Sequence, residues 1–148
     1  MEKLWTEEEA KGIAEILQAK LDSSEIKYNG VPLGYDEFDL PGNEYGDCSK
    51  CGQYIGYHDD IPYLDFKTVR NRLNRADPGW WWEPVALDAQ GKQGEASYFL
   101  DRKGEYVMLI KLHVGPFVKI GTGSADNPEG CIKNAIMFAA SLLGVDLP

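Results

Sequence analysis

The sequence predicts an α+β fold: an antiparallel β-meander of three to four strands with a basic helix before it and a C-terminal helix packed across the sheet, plus an N-terminal amphipathic helix. Apolar residues recur at helical spacing near both ends and again over residues 66–76. Between residues 80 and 122, strand-like segments alternate with turn-forming ones. A chain of 148 residues holds one compact domain with one core, and is too short for two ordinary ones.

The elements follow in order. Thr6 before Glu7, Glu8 and Glu9 forms an N-cap with a capping box, and Ala10, Ile13, Ala14, Leu17 and Leu21 line one face of the first helix. Residues 23–60 are rich in Gly, Pro, Asp and Tyr and read as a long irregular segment with one short strand around Val31–Leu33. Asp65 is placed to cap a second helix whose stripe is Phe66, Val69, Leu73 and Ala76. Asp77-Pro78-Gly79 stops that helix, and Trp80–Leu87 is the first strand of the meander. After a turn at Asp88–Gly94 come strands at Glu95–Leu100 and Glu105–Val114, joined by Asp101-Arg102-Lys103-Gly104, and then Phe117–Thr122. Asn127 caps and Pro128 starts the last helix, with Ile132, Ala135, Ile136, Ala139 and Leu143 inward. Met137, Phe138 and Leu142 make its other side apolar too, which implies burial on two sides or a subunit contact.

The charge is uneven. Residues 1–60 hold fourteen acidic and five basic residues, whereas residues 61–148 hold ten of each, so the formal net charge of −9 lies wholly in the first part. We therefore divide the chain into an acidic segment over residues 1–60, containing the first helix and the irregular stretch, and an α+β core over residues 61–148, within one compact domain. The net charge argues against a general polyanion binder. Three cysteines are an odd count for a disulfide framework, and an intracellular, reducing location fits them better. The longest apolar stretch, Ala135–Val145, is interrupted by Ser141 and Gly144 and falls short of the ~18 residues that span a bilayer. A soluble protein with no membrane partner is expected.

Two constellations bear chemistry. Cys48-Ser-Lys-Cys51 has the spacing of a zinc ligand pair and His58 follows seven residues on, so Cys48, Cys51 and His58 are candidate ligands of a structural zinc. A structural site needs a fourth ligand, for which Asp59, Asp60 and His113 are all open. Two free thiols in a loop are an equally weighted reading. Nothing resembles a helix start after Cys51, which disfavours redox catalysis, and no Ser sits in an elbow motif. Gly121-Thr-Gly123-Ser124 reads as a tight strand-to-helix connection or as a cradle for a backbone phosphate beside Lys119.

The second constellation is Tyr63–Pro84, in which Lys67, Arg70, Arg72 and Arg75 precede Trp80, Trp81 and Trp82. At about 100° per residue the four cations fan across the arc opposite the apolar stripe. Phosphates attract such charge and unstacked bases attract such rings, although a solvated helix face leading into a core strand explains the same residues. Side chains alternate along a strand, so Trp81 faces opposite to the other two.

The order CxxCGxYxxxxH, then YLDFKTVRNRLNRADPGWWWEPVALDAQG, EYVMLIKLHVGPFVKIGTG and IKNAIMFAASLLGVDL resembles a group of small actinobacterial and actinophage proteins, similar in turn to the single-strand annealing superfamily of the Rad-fifty-two and Sak type. The resemblance runs from about Cys48 to the C-terminus. It implies a phage-type protein of homologous recombination, in the cytoplasm of a bacterial host, that forms homo-oligomers and binds and anneals single-stranded DNA without ATP or bond-making catalysis. It also implies DNA contacts through Lys67, Arg70, Arg72 and Arg75, with Lys111, Lys119 and Lys133 as additions, and Trp81 among the sheet aromatics that keep bases apart. Phe138 stands where relatives carry arginine, and their longer basic tail is lacking after Pro148. The alternative function is an acidic phage accessory protein that binds a host or phage protein through the N-terminal helix. A zinc-dependent enzyme built on Cys48, Cys51 and His58 ranks below both.

Overall fold

The computed structural model describes residues 3–32, 45–56, 58–85, 99–100 and 103–147. Along these the chain runs α1 (Glu7–Gln18), β1 (Lys27–Pro32), β2 (Gly46–Asp47), β3 (Tyr54–Ile55), β4 (His58–Tyr63), α2 (Phe66–Ala76), β5 (Trp81–Pro84), β6 (Phe99–Leu100), β7 (Tyr106–Val114), β8 (Phe117–Ala125) and α3 (Pro128–Leu142). It is an α+β fold with antiparallel sheets. It divides into two compact units, one comprising Met1–Ala19 with Phe66–Asp146 and the other Lys20–Asp65 with Leu147–Pro148.

In the first unit β7 is the central strand. It pairs along its whole length with β8, from Tyr106 opposite Ala125 to Val114 opposite Phe117. Its other side pairs with β5 through Trp81 and His113, and with β6 through Phe99 and Val107. Alternation sorts its side chains: Met108, Ile110, Leu112 and Val114 are buried on the face that α3 covers. Val107, Leu109, Lys111 and His113, on the opposite face, are half-buried.

Helix α3 lies directly on β8 because the strand has no side chains in the way. A Cβ on Gly121 would fall inside van der Waals contact of the Ala135 carbonyl oxygen and of Ala139, and one on Gly123 would meet Ala135 and the Cys131 carbonyl. Cys131 completes the contact by donating its thiol to the Gly123 carbonyl oxygen at 3.1 Å. The Gly121–Ser124 stretch is therefore strand, and its glycines serve helix-to-sheet packing rather than a connecting turn. Asn127 caps α3 by accepting from the Gly130 amide, with Pro128 in the first turn. Phe138 and Leu142, one turn apart, remain exposed on its outer side.

Helix α1 has the capping box read from the sequence: Thr6 accepts from the Glu9 amide and the Glu9 carboxylate accepts from the Thr6 amide. Its buried residues Ile13 and Leu17 belong to the same unit as Val69, Leu73 and Ala76 of α2, against which it packs. Asp77, just after α2, accepts from the amide of Gly79 at 2.9 Å and from that of Gly115 at 2.7 Å, tying the helix stop to the β7–β8 turn. Gly115 has φ 56° and lies against Ile13, so both conformation and space require glycine there.

The expected division at residue 60 placed the first helix with the CxxC segment. Packing places it with the sheet instead, because its apolar stripe needs the stripe of α2. Residues 23–60 also contain more strand than their composition suggested. β1 and β4 pair over six residues each, from Lys27 opposite Tyr63 to Pro32 opposite His58, and β2 and β3 form a short hairpin. These strands are mostly exposed, so they lack the alternation that marks a half-buried strand. The expected turn at 88–94 and most of the strand that follows lie outside the described residues.

Replacing Gly121 by Ala is expected to destabilise the protein by about 2–3 kcal/mol through overpacking. The same change at the exposed neighbour Thr122 should stay within about 0.5 kcal/mol. Urea denaturation of both variants checks the contrast.

Candidate functional site

The β2–β3 hairpin and β4 bring four ligand-type side chains together. The hairpin turn is closed by the Cys48 amide donating to the Gln53 carbonyl at 3.0 Å and the Gly52 amide donating to the Cys48 carbonyl at 2.8 Å. Gly52 has φ 72°, which lets the chain reverse tightly after Cys51. The reversal aims both thiols at β4, where His58 and Asp60, two residues apart on one strand, point the same way.

The ligand atoms of Cys48, Cys51, His58 and Asp60 all lie within 4.8 Å of one another. Cys51 Sγ is 3.6 Å from His58 Nε2, which is 3.0 Å from Asp60 Oδ1. Cys48 Sγ is 3.8 Å from the same oxygen. Ligand atoms around one tetrahedral zinc sit roughly 3.3–3.8 Å apart for ordinary Zn–S, Zn–N and Zn–O bonds. The separations of 3.0–3.8 Å lie close to that spacing, and the remaining ones stay within 4.8 Å, so the cluster is compatible with a four-ligand site. His58 Nδ1 lies 2.6 Å from the Gly56 carbonyl oxygen, to which it donates, leaving Nε2 free to face the cluster.

The electrostatics differ among the thiols. Amides of Cys51 and Lys50 donate to Cys48 and hold its thiol below the ordinary cysteine range. Removal from water pushes the Cys51 thiol up. The Gly56 carbonyl, followed by Cys48, favours the imidazolium of His58 and raises its pKa above that of a free histidine.

Of the three candidates for the fourth ligand, Asp60 is the one in place. Asp59 is exposed on the other side of β4, and His113 belongs to the other unit. Sequence reasoning missed two supporting residues. Gly30 of β1, opposite Asp60, donates its amide to Gln53 Oε1 at 2.7 Å. A Cβ there would stand 3.0 Å from Cys51 Sγ and 3.1 Å from His58 Cδ2, so the cluster rests on bare backbone. A glycine inside a strand is the signal that marks such an approach.

The candidate nucleic-acid residues separate into groups. On α2, Lys67, Arg70, Asn71, Asn74 and Arg75 share one exposed arc, and among the described residues no carboxylate pairs with these cations. Trp80 extends the arc by donating its indole N–H to Asn74 Oδ1 at 2.6 Å. Arg72 is not part of it. It is 2% exposed and donates to the carbonyls of Ile16 at 3.1 Å and Ala19 at 2.6 Å. It thereby satisfies the C-terminal end of α1, which has no basic residue in its own last turn. Arg72 is removed from the surface candidates for this reason.

The remaining candidates are dispersed. Trp81 and Lys111 are on the open face of the sheet, with Lys111 between Glu83 and Ile120 in register. Lys119 stands opposite Leu112, on the face that α3 covers, and is exposed. Lys133 of α3 pairs with Glu129 at 3.2 Å and lies 5.8 Å from the Phe66 ring centroid. No family model and no curated protein matches this chain.

With metal removed by chelator at mildly alkaline pH, Cys48 is expected to alkylate first, Cys51 more slowly and the buried Cys131 last. Timed iodoacetamide labelling read by peptide mass spectrometry gives the order, and Cys51 ahead of Cys48 would refute the assigned electrostatics.

Proposed function

We propose that the protein binds single-stranded DNA through the outer face of α2 and acts by holding and annealing strands rather than by making or breaking bonds. One observation supports this above the others: in a chain of net charge −9, the exposed arc of α2 carries Lys67, Arg70 and Arg75 interleaved with amides and contains no acid. A phosphate backbone needs such a stripe, and asparagine amides between the cations add uncharged donors. Trp80, bonded to Asn74 at the end of the stripe, supplies an aromatic surface where the chain leaves the helix. The sequence resemblance to the single-strand annealing superfamily points the same way and adds homo-oligomers, a phage origin and a cytoplasmic site of action to the proposal.

We further propose that Cys48, Cys51, His58 and Asp60 hold a structural zinc. Four protein ligands leave no open coordination position for a reacting water, which favours a structural over a catalytic metal. The need for one is physical. Among the described residues of Lys20–Asp65, no hydrophobic side chain is fully buried, so these strands draw little order from apolar burial. When bound, zinc would supply that order through its bonds to the four side chains.

A second reading is favoured by α1, whose exposed Glu7, Glu8, Glu9 and Glu15 face solvent with Lys11 as their exposed basic neighbour within the helix. Such a surface suits a basic protein partner.

The triple variant K67A/R70A/R75A should bind oligo-dT more weakly than the wild type, with the slope of log K against log salt lower by about 2. Arg72→Ala should lower the melting temperature because it uncaps α1. Unchanged affinity in the triple variant overturns the strand reading. Absence of any shift of oligo-dT by the wild type at low salt, with retention on a basic partner, supports the second.

Elemental analysis should give one zinc per chain, lost in Cys51→Ser. Chelation should abolish hydrogen-exchange protection in β1 and β4 while β7, β8 and α3 keep theirs. Because the surroundings of His58 favour its proton, and a protonated imidazole cannot bind metal, zinc retention should weaken as pH is lowered.

A further inference from the structure

The open face of the sheet contains a cavity of about 890 Å³. Its walls come from the segment before α1, the turn after α2, and β5, β7 and β8; Trp5, Trp81, Glu83, His113 and Val118 are among the residues that line it. Two of these walls are tied together. Asp77 bonds the turn after α2 to the β7–β8 turn through the amides of Gly79 and Gly115, which uses both of its oxygens.

Within it, Trp81 and His113 stack in parallel, 3.9 Å between ring centroids and 3° between planes. His113 Nε2 is 2.9 Å from Glu83 Oε2, so the imidazole is held from both sides. Trp81 is nonetheless 52% exposed, which leaves indole surface beyond the stacked imidazole. A ring backed in this way is a rigid platform that selects a flat ligand, and binding sacrifices little side-chain freedom. The second oxygen of Glu83 accepts no hydrogen bond among the described residues, and it stands at the edge of the same cavity. Lys3, at 3.9 Å from the Trp5 ring centroid and 3.3 Å from Glu9, adds the cation at the rim.

We infer that this cavity receives one nucleobase bearing an exocyclic amino group, with Trp81 as the stacking surface and the free Glu83 oxygen as the acceptor. The inference rests on the strand reading above and gives it a base preference. A carboxylate oxygen accepts readily from the amino group of cytosine, whereas the thymine N–H lies between two carbonyl oxygens that repel it. The strand is thus held by charge on α2 and read, at one position, on the sheet.

Affinities for (dC)20 and (dT)20, measured by fluorescence anisotropy over a salt series, test this. The wild type should prefer (dC)20 by roughly threefold to tenfold, the range of one hydrogen bond. Glu83→Ala should erase the preference and Glu83→Gln should reduce it. Trp81→Ala should weaken both oligonucleotides by roughly fivefold or more with no change in salt slope, and Trp81→Phe should recover much of the loss. Equal affinity of wild type and Trp81→Ala, or a preference that survives Glu83→Ala, overturns the pocket while leaving the α2 contacts standing. If neither oligonucleotide binds the wild type, the strand reading has failed, and free cytidine tests the cavity alone. Quenching of tryptophan emission in the wild type but not in Trp81→Ala upholds it, and no quenching overturns it.

Discussion

The first unit depends on backbone meeting backbone where α3 crosses β8. Gly121 and Gly123 remove the side chains that would hold helix and strand at ordinary separation, and Ala135 and Ala139 answer them from the helix. Close approach at this point seats α3 on β7 as well, burying Ile110, Leu112 and Val114. With one face committed to α3, the other presents Trp81, Glu83, Lys111 and His113 together by alternation alone. The surface proposed to receive a base follows from a packing contact on the opposite side of the sheet.

The helices and the N-terminal caps of α1 and α3 were legible in the sequence because their signals are local, whereas α1 stops at Gln18, short of Leu21, which helical spacing alone adds to its apolar face. Thr6 with Glu9, and Asn127 with Pro128, are caps that need no tertiary partner to be recognised. The hairpin of β7 and β8 was legible from its turn and its alternating apolar residues. β1 and β4 were not, since their residues are mostly exposed and their pairing is long-range. Gly121 and Gly123 were ambiguous for a related reason: glycine in a strand and glycine in a loop look alike until the opposing helix is placed.

The site residues divide along the same line. The CxxC spacing and His58 were visible, and β4 alternation then chooses Asp60 over Asp59 once the strand is known. Arg72 was misplaced because a helical wheel counts it with the polar arc. It sits at the edge of that arc, about 40° from Ala76. What buries it is the end of α1, whose carbonyls attract a cation that the helix does not itself provide. Charge on a wheel therefore overstates the charge available to a ligand, here by one of four.

The unit holding Cys48 and Cys51 carries a thermodynamic consequence of its own. Heat capacity changes and denaturant sensitivity both scale with the surface exposed on unfolding, chiefly apolar surface for heat capacity. With no fully buried hydrophobic side chain among them, the described residues of this unit have little of that surface to expose. Opening of these strands would contribute weakly to a calorimetric trace and respond shallowly to urea, while, on the zinc proposal, answering directly to proton and metal activity through Cys48, Cys51, His58 and Asp60. If the cluster holds zinc as proposed, two parts of one chain obey different controls: temperature and solvent for the sheet and its helices, coordination chemistry for the strands around Cys48 and Cys51.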